Sequence, residues 1–323
     1  MLDVSVVVPT CRRPDLLGRC LSALLRQSLE YDRYEIIVAD DAASTATRAQ
    51  VERCRSRGST AVRYVAVLGE THGPAAARNA GWRIGSAPLI AFTDDDTVPT
   101  REWLEHALQV FGDPGIAAAS GRVIVPIGSS PTDYERDAAG LETAGFVTAN
   151  CLVRRDVLEA VAGFDEHFAV AWREDTDLYF RLLEQHRRVA HAPASVVVHP
   201  VRPARWGVSI AQQRKASYDA LLYKKHPVLY AKYVRPGRPV VYYAIVCCVV
   251  AMIVGVIVEQ SMVTVLASFA WVTLTSDLVA RRLRNNSLAA KHVIEMVVTS
   301  VLIPPVSLFW RAVGGVRHRV PFY

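Results

Sequence analysis

Three consecutive carboxylates, Asp94-Asp95-Asp96, follow the apolar run Leu89–Phe92 after the single residue Thr93. Like charges this close repel and raise one another's pKa, a conflict that a divalent cation resolves. Mg²⁺ or Mn²⁺ prefers oxygen ligands and usually takes one or two carboxylates together with substrate phosphates. Alone, the triplet would serve equally as a solvated acidic turn ahead of the helix expected from Thr100. It is not alone. Asp40-Asp41 ends a second apolar run, and His199 ends a third, where it offers a nitrogen ligand. Arg78 begins a turn or so into the helix after Gly73-Pro74, from which a guanidinium can face a diphosphate. The last constellation is Trp172-Arg173-Glu174-Asp175-Thr176-Asp177. Helix capping is the plain account of Glu174 or Asp175. Three acids beside a tryptophan also make a site for sugar hydroxyls, with one carboxylate as general base.

The elements that must position these residues alternate along the first 120 positions. Residues 4–8, 35–39, 62–67 and 89–92 are short, β-branched-rich runs of the kind found in buried parallel strands. Helical stretches at 14–26, 45–57, 74–84 and 100–111 separate or follow them, two of them opening on Pro14 and Pro74. This βαβα order predicts an α/β fold, a mostly parallel sheet flanked by helices on both faces. Such sheets bind ligands at the carboxyl ends of their strands. The segments 9–12, 40–41, 69–73 and 94–96 fall there. Residues 128–145, polar and rich in Gly and Pro, read as a mobile loop. A helix at 154–161, a turn at 163–165, a helix at 174–186 and a strand at 195–198 complete the front part.

Competing nucleotide folds lack their marks. Val8-Pro9-Thr10-Cys11-Arg12 stands where a G-x-G-x-x-G would follow the first strand, and no G-x-x-x-x-G-K-[ST] occurs.

Charge and hydropathy divide the 323 residues. Of 37 Lys+Arg and 31 Asp+Glu, 16 and 4 fall from Val201 onward, so that part carries +12 and the first 200 residues −6. The basic charges flank apolar runs and do not interleave with aromatics on a polar surface, which favours anionic lipid headgroups over nucleic acid. No nucleic-acid partner is expected. Residues 204–233 are basic and aromatic, like interfacial helices. Residues 239–258 carry no charge, enough to span roughly 30 Å of hydrocarbon, and 261–276 is a second uncharged run behind Glu259-Gln260. Arg235 and Arg238 before this hairpin, and Arg281, Arg282 and Arg284 after it, place both its ends on the cytosolic side. Residues 293–310 are apolar but contain Glu295 and Pro304-Pro305, which favours a re-entrant or surface-lying segment over a third span. The expected domains are therefore 1–203 (catalytic), 204–238 (interfacial linker) and 239–323 (membrane region). The six cysteines show no metal-ligand spacing, and the chain opens on a strand-like run without a basic leader. Reduced cysteines and a front part facing the cytoplasm at the inner membrane are expected.

Taken together, segments 4–13, 36–44, 73–81, 92–99, 163–166, 172–178 and His199 resemble the family 2 glycosyltransferases of the GT-A fold, in order and spacing, over residues 3–200. The resemblance implies an inverting, metal-dependent transfer of a sugar from a UDP-, GDP- or dTDP-linked donor. By the same resemblance, Thr10 and Arg12 lie along the nucleoside, Asp41 with Asp40 contacts the base, and Arg78 sits near the base or diphosphate. Asp94-Asp95-Asp96 resembles the family's D-x-D, with Asp96 as metal ligand and Asp94 toward the ribose or donor sugar. Pro9 and Asp95 complete the donor-binding set, and His199 resembles an additional metal ligand. Asp175 matches the carboxylate that deprotonates the acceptor hydroxyl, with Glu174 beside it, while Asp165, Trp172 and Arg173 fall to the acceptor. One departure is Ala42-Ala43-Ser44, where the family usually has Gly-Ser after its paired acids. The Gln-x-x-Arg-Trp of processive synthases is also missing, since Arg205-Trp206 lacks the Gln.

The membrane region suggests an acceptor held there: a polyprenyl-phosphate lipid, a lipid-linked glycan or a cell-surface polysaccharide. Two other classes stay open. A sugar nucleotidyltransferase would want a Gly-rich, Lys-containing loop after the first strand, which is missing. A membrane-tethered binding protein without catalysis would lack acids at the strand ends, which are all present.

Overall fold

The computed structural model describes residues 2–56, 58–234 and 239–322, and the chain divides into two compact units. The first comprises Met1–Pro126 and Ala139–Val201, the second Ile127–Ala138 and Arg202–Tyr323.

In the first unit, β1 (Val4–Thr10), α1 (Pro14–Leu24), β2 (Tyr34–Asp40), α2 (Thr45–Arg55), β3 (Ala61–Ala66), α3 (Pro74–Ile84) and β4 (Leu89–Phe92) follow the expected alternation. The short β5 (Val98–Pro99), then α4 (Trp103–Val110) and β6 (Ile116–Ile124), come next. After α5 (Asp133–Ala139) the chain returns through β7 (Cys151–Arg154), α6 (Arg155–Ala160), α7 (Glu174–Glu184) and β8 (Arg188–Val198). The eight strands form one sheet in the order β3-β2-β1-β4-β7-β6-β8-β5. β1 to β4 pair in parallel, as do β6 and β8, whereas β7 runs against both β4 and β6, and β5 against β8. The sheet is thus mixed, parallel where the sequence alternation was clear and antiparallel where β7 enters between β4 and β6.

Side-chain alternation along the strands splits the core between the two faces of the sheet. Val4, Val6 and Val8 of β1 pack with Leu17, Leu21 and Leu24 of α1 and Trp103 of α4. Val7 joins the other layer, with Ile90 and Phe92 of β4, Trp82 of α3 and Leu178 of α7.

The second unit is helical: α8 (Val208–Gln212), α9 (Ala216–Lys225), α10 (Pro227–Leu229), α11 (Val240–Ile257), α12 (Ser261–Leu283) and α13 (Ala290–His318). The span expected as one interfacial stretch is broken into short helices, and α9 buries Tyr218, Ala220 and Leu222. Arg235 and Arg238, used above for topology, lie outside the described residues. Three helices, α11 to α13, are long and apolar enough to cross a membrane. In α11 and α12 only 11 % of the most apolar stretch is buried, so Ile253, Val265, Leu266 and Phe269 point outward. Outward apolar faces of this extent suit hydrocarbon and not water. α13 runs as one helix through Pro304 and Pro305.

Residues expected as a mobile loop contain α5, which opens on a capping box. Thr132 N–H donates to Glu135 Oε2 at 2.7 Å while Glu135 N–H donates to Thr132 Oγ1 at 3.2 Å. Asp133 Oδ2 accepts from Arg282 Nη2 at 2.7 Å, and Arg136 binds Asn286 and the Asn285 carbonyl.

Candidate active site

The winding of the sheet reverses at β1, with β2 and β3 on one side and β4 on the other. Ligands of α/β sheets settle at such reversals, beyond the carboxyl ends of the strands. The tip of β1 (Thr10) and the segment after β4 (Asp94–Asp96) both lie there. Pro9, in β1, is buried and pairs only with Ala39, because the β1/β4 ladder stops at Val7↔Phe92. A residue without an N–H is tolerated where the ladder has ended.

The three carboxylates part company. Asp95 turns inward, accepting from Thr10 Oγ1 at 2.7 Å and from Arg13 Nη1 at 3.4 Å. Burial pushes its pKa up to about 6, with Asp96 and Asp94 adding to the rise and the Thr10 hydrogen bond and Arg13 opposing it. Thr10 and Asp95 therefore bind each other and lock β1 to the β4 turn. Asp94 and Asp96 face His199 instead. One ligand atom from each of these three lies within 4.8 Å of the others, and His199 Nε2 is 3.5 Å from Asp96 Oδ1. The His199 backbone N–H, bonded to the Ile124 carbonyl at 2.8 Å, fixes the turn that presents the ring. Two hard oxygen donors and one imidazole at this spacing suit a divalent cation that keeps further positions for phosphate oxygens.

Arg78 connects this cluster to the next. Its Nη2 donates to Asp94 Oδ1 at 2.8 Å and its Nη1 to Glu174 Oε1 at 2.9 Å, with the residue 2 % exposed. Burial works against the cation, but the Asp94 and Glu174 carboxylates outweigh it and hold the guanidinium pKa above its ordinary value. The expected diphosphate-facing arginine is thus already clasped by two carboxylates. Arg78 Nε and Glu174 Oε2 are buried without a hydrogen-bond partner, so polar capacity is left at this junction.

Glu174 and Asp175 open α7, where the helix macrodipole favours negative charge. Burial nevertheless pushes Glu174 up to about 7, against the pull of Arg78 and with the charge of Asp175 adding to the rise. Asp175 is raised as well, by burial first, against the hydrogen bonds from Thr176. Its Oδ1 accepts from the Thr176 N–H at 2.6 Å and from Thr176 Oγ1 at 3.1 Å. The residue before them, Arg173, holds φ 77°, a left-handed conformation that is uncommon outside glycine. Its guanidinium carbon lies 4.6 Å from the centre of the Trp172 ring, a cation–π contact.

The paired acids after β2 also differ. Asp40 is fully buried, and its carboxylate accepts from the Ala42 and Ser44 N–H groups at 3.0 and 2.7 Å and from Tyr64 Oη at 3.1 Å. It closes the Ala42-Ala43-Ser44 turn and has no face open to a ligand. Asp41 Oδ1 accepts from the Gly73 N–H at 2.9 Å and lies 3.1 Å from His72 Nδ1. Gly73 sits at φ 109°, and a Cβ there would fall 2.5 Å from the Ala169 carbonyl oxygen, so no other residue fits. Arg12, at φ 56°, is exposed at the rim. Asp165 closes its own turn by accepting from the His167 N–H at 2.9 Å and pairing with its ring at 2.6 Å.

Three supporting residues were not singled out from the sequence. Buried Asn79 donates to the Phe164 carbonyl and to Glu166 Oε1, both at 2.8 Å, and accepts from the Phe164 N–H and from Trp82 Nε1, both at 2.9 Å. It ties α3 to the turn that leads into the Trp172 segment. Glu166 also accepts from Thr71, and His72 meets Asp41 as above. The available signal was Asn79 itself, an amide in the middle of an otherwise small and apolar helix face.

A GT-A-type sheet with acids and a histidine gathered at the β1/β4 reversal is an arrangement that fits a glycosyltransferase. Sequence models agree: Glycosyl transferase family 2 matches residues 5–164, and Glycosyl transferase family group 2 matches residues 89–276. The chain belongs to the family 2 glycosyltransferases. It is 27 % identical over 216 residues to Glycosyltransferase AglE of Haloferax volcanii, covering 62 % of this chain and 67 % of that one. To the pre-mycofactocin glycosyltransferase of Mycobacterium tuberculosis it is 31 % identical over 217 residues, 62 % of this chain but only 43 % of that protein. The fold is shared with the mannosyltransferase PcManGT from Pyrobaculum calidifontis, solved in complex with GDP-Man and Mn²⁺. The TM-score is 0.56 at 19 % identity, over 98 % of this chain and 86 % of that one.

Proposed function

We propose that the chain moves a sugar from a nucleoside-diphosphate sugar to a membrane-associated acceptor in one displacement that inverts the anomeric centre. The observation that carries this reading is the linkage, through Arg78, of the Asp94/Asp96/His199 cluster to Glu174 and Asp175. Asp94, Asp96 and His199 would hold a divalent cation, Mg²⁺ or Mn²⁺, which when bound would supply positive charge against the donor diphosphate. Asp41 and Arg12 flank the base and nucleoside. Asp175 accepts the acceptor hydroxyl proton through Oδ2, since Oδ1 is taken by Thr176. Its raised pKa keeps it a useful base near neutral pH. Arg78 holds Glu174 and Asp94 in register, and Trp172 and Arg173 form the wall on which the acceptor sugar or headgroup rests. PcManGT, with GDP-Man and Mn²⁺, supports a nucleotide-sugar donor and a metal. The helices α11 and α12 anchor the enzyme as a hairpin, with the catalytic unit on the cytoplasmic side of the inner membrane.

The test is turnover of a panel of UDP-, GDP- and dTDP-sugars by membrane-purified protein, with Mn²⁺, Mg²⁺ or EDTA. Nucleoside diphosphate release that requires metal and vanishes in Asp96→Ala is expected. Release that persists in EDTA, or in that variant, overturns the metal assignment.

A further inference from the structure

A soluble amphipathic helix buries its apolar stripe and shows its polar one. Helix α13 departs from that rule. Among its buried residues are His292, Thr299, Ser300, Ser307 and Arg311, while Ile294, Val298, Leu302, Phe309 and Val316 are 37–81 % exposed. Those five recur at intervals of four and seven residues, so they share one side of the helix. The buried side is occupied from end to end within the helical unit. His292 Nε2 accepts from the Asp133 N–H at 3.0 Å, and Glu295 accepts from the Gly207 N–H at 2.7 Å. Thr299 and Ser300 accept from Arg282 Nη1 at 2.7 and 3.1 Å. Further along, the Arg311 guanidinium carbon lies 4.4 Å from the centre of the Phe322 ring. A Cβ at Gly314 would fall 2.8 Å from the Ser217 backbone, so α9 lies directly against this helix.

The elements that cover α13 do not belong in hydrocarbon. Arg214, Lys215, Asp219, Lys224 and Lys225 all fall within the stretch that forms α9 and the turn before it, and charges at the bilayer centre are costly. The hairpin meets α13 at its base, through Arg282 at the end of α12, and is only 11 % buried along its apolar stretches. A third span beside it would cover more of those stretches. Within α13 the longest uncharged run lies between Glu295 and Arg311, 15 residues, short of the roughly 20 that cross a bilayer. Exposed Lys291 stands before that run, and exposed Arg317 and Arg319 after it.

We propose that α13 does not cross the bilayer but lies in its surface, a second membrane-binding element of a different kind from the hairpin. The inference rests on the reading of α11 and α12 as a membrane hairpin. Ile294, Val298, Leu302, Phe309 and Val316 rest among the first carbons of the acyl chains, and Lys291, Arg317 and Arg319 at its two ends meet anionic headgroups. Basic residues at both ends suit a helix that stays on one side, since a crossing would carry one of these flanks through the bilayer. A third span would also draw Glu295 and the charges of α9 inward, or strip their cover from the buried polar side and leave Thr299, Ser300 and Arg282 unsatisfied in hydrocarbon. A re-entrant segment would have to turn back on itself, whereas α13 is continuous from Ala290 to His318.

The experiment places the full chain in vesicles containing anionic phospholipid and measures the depth of nitroxide labels from their accessibility to oxygen and to a water-soluble nickel chelate. Labels go on Ile294→Cys, Leu302→Cys, Phe309→Cys and Val316→Cys of α13 and on Val272→Cys of α12, with Cys11, Cys247 and Cys248 replaced by Ala. All five positions are exposed, so the labels leave the packing intact. The four α13 labels should sit at one shallow depth, about 5–10 Å below the headgroup level, and the Val272 label near the midplane. Depth that increases steadily from position 294 to 316 overturns the proposal in favour of a span. Depth that peaks at 302 overturns it in favour of a re-entrant segment, and α13 labels open to the chelate overturn lipid contact altogether. Shallow labels on α12 as well as on α13 would instead remove the hairpin and leave the surface helix standing. In cells, a reporter fused after Tyr323 should lie on the same side of the membrane as one fused before Met1. Reporters on opposite sides overturn the proposal.

Discussion

Each unit is built around a sequestered arginine, and the two differ in what surrounds it. Arg78 is held by two carboxylates, Asp94 and Glu174, and its Nε is left without a partner. Arg282 is held by one carboxylate, Asp133, and by the hydroxyls of Thr299, Ser300 and Ser209 at 2.7 to 3.2 Å. Hydroxyls do not titrate near neutral pH and their bonds to Arg282 hold in any ionisation state, so that arrangement is a cross-link among α12, α13, α8 and the 127–138 segment. Of the two carboxylates around Arg78, Glu174 is pushed up to about 7 by burial and adjoins Asp175, which is raised as well, so the charge on this side of the arginine changes with pH. A buried arginine that joins an acid beyond a strand tip to one at a helix start organises chemistry, whereas one among hydroxyls between helices organises packing.

The contrast can be broken in four ways. The largest effect is expected at the end of the Arg78 chain, where Asp175→Asn should lower turnover by about 10²–10⁴-fold, the usual worth of a general base. Donor affinity, followed by equilibrium titration, should stay within a few fold. A variant that keeps its turnover would remove Asp175 as the base. Next, Arg78→Met leaves two carboxylates facing each other, one fully buried. Loss of a buried partner costs about 3–5 kcal/mol, to be read as a lowered unfolding midpoint together with lost activity. A stable, inactive variant would instead mean that Arg78 acts on the donor alone.

The third concerns pH. Glu174 is displaced to about 7 and Asp175 is raised too. A base acts when ionised, so kcat should rise with pH through the pair's elevated pKa and fall on acidification well above the ordinary carboxylate value of about 4. Glu174→Gln removes one of the two like charges and leaves Arg78 less neutralised, both of which favour ionised Asp175. The acid limb should therefore move to lower pH. A limb that stays in place would uncouple Glu174 from the base. The smallest effect is expected at the other arginine. Arg282→Met should cost about 1–2 kcal/mol of stability in detergent, below the fully buried range because Asp133 is partly solvated. Adding Asp133→Leu should recover part of that cost without changing the pH profile of kcat.

The sequence announced the parallel part of the sheet and its ligand edge. β4 and α3 fall at 89–92 and 74–84, the expected positions, because each has strong periodicity and a clear start or stop. It did not announce β6, whose Ala117-Ala118-Ala119 has little β propensity, nor the four-residue β7, which merges into α6 at Arg154-Arg155. β8 was seen only from 195, since Pro193 and the polar residues before it obscure its first half. Helix α5 did carry a legible signal, Thr132-x-x-Glu135, hidden among glycines and prolines. At the site, residue types were readable but directions were not. Nothing in Asp94-Asp95-Asp96 says that the middle acid turns back to Thr10, or in Asp40-Asp41 that the first closes its own turn. The choice for Asp95 depends on a partner 85 residues away, and at Asp40 the bond from Tyr64, 24 residues away, adds to the local ones from Ala42 and Ser44.

The 127–138 segment also bears on how this enzyme can be dissected. The chain passes from the catalytic unit into the helical unit after Pro126, returns at Ala139 and departs again after Val201. No single cut separates the two. A soluble version truncated after Val201 would keep α5 while discarding Arg282, Asn286 and His292, the residues that receive it. Its exposed remnant would invite aggregation or proteolysis, and the poor behaviour would be misread as instability of the catalytic fold. A workable catalytic fragment needs two edits, the truncation and the replacement of residues 127–138 by a short flexible bridge.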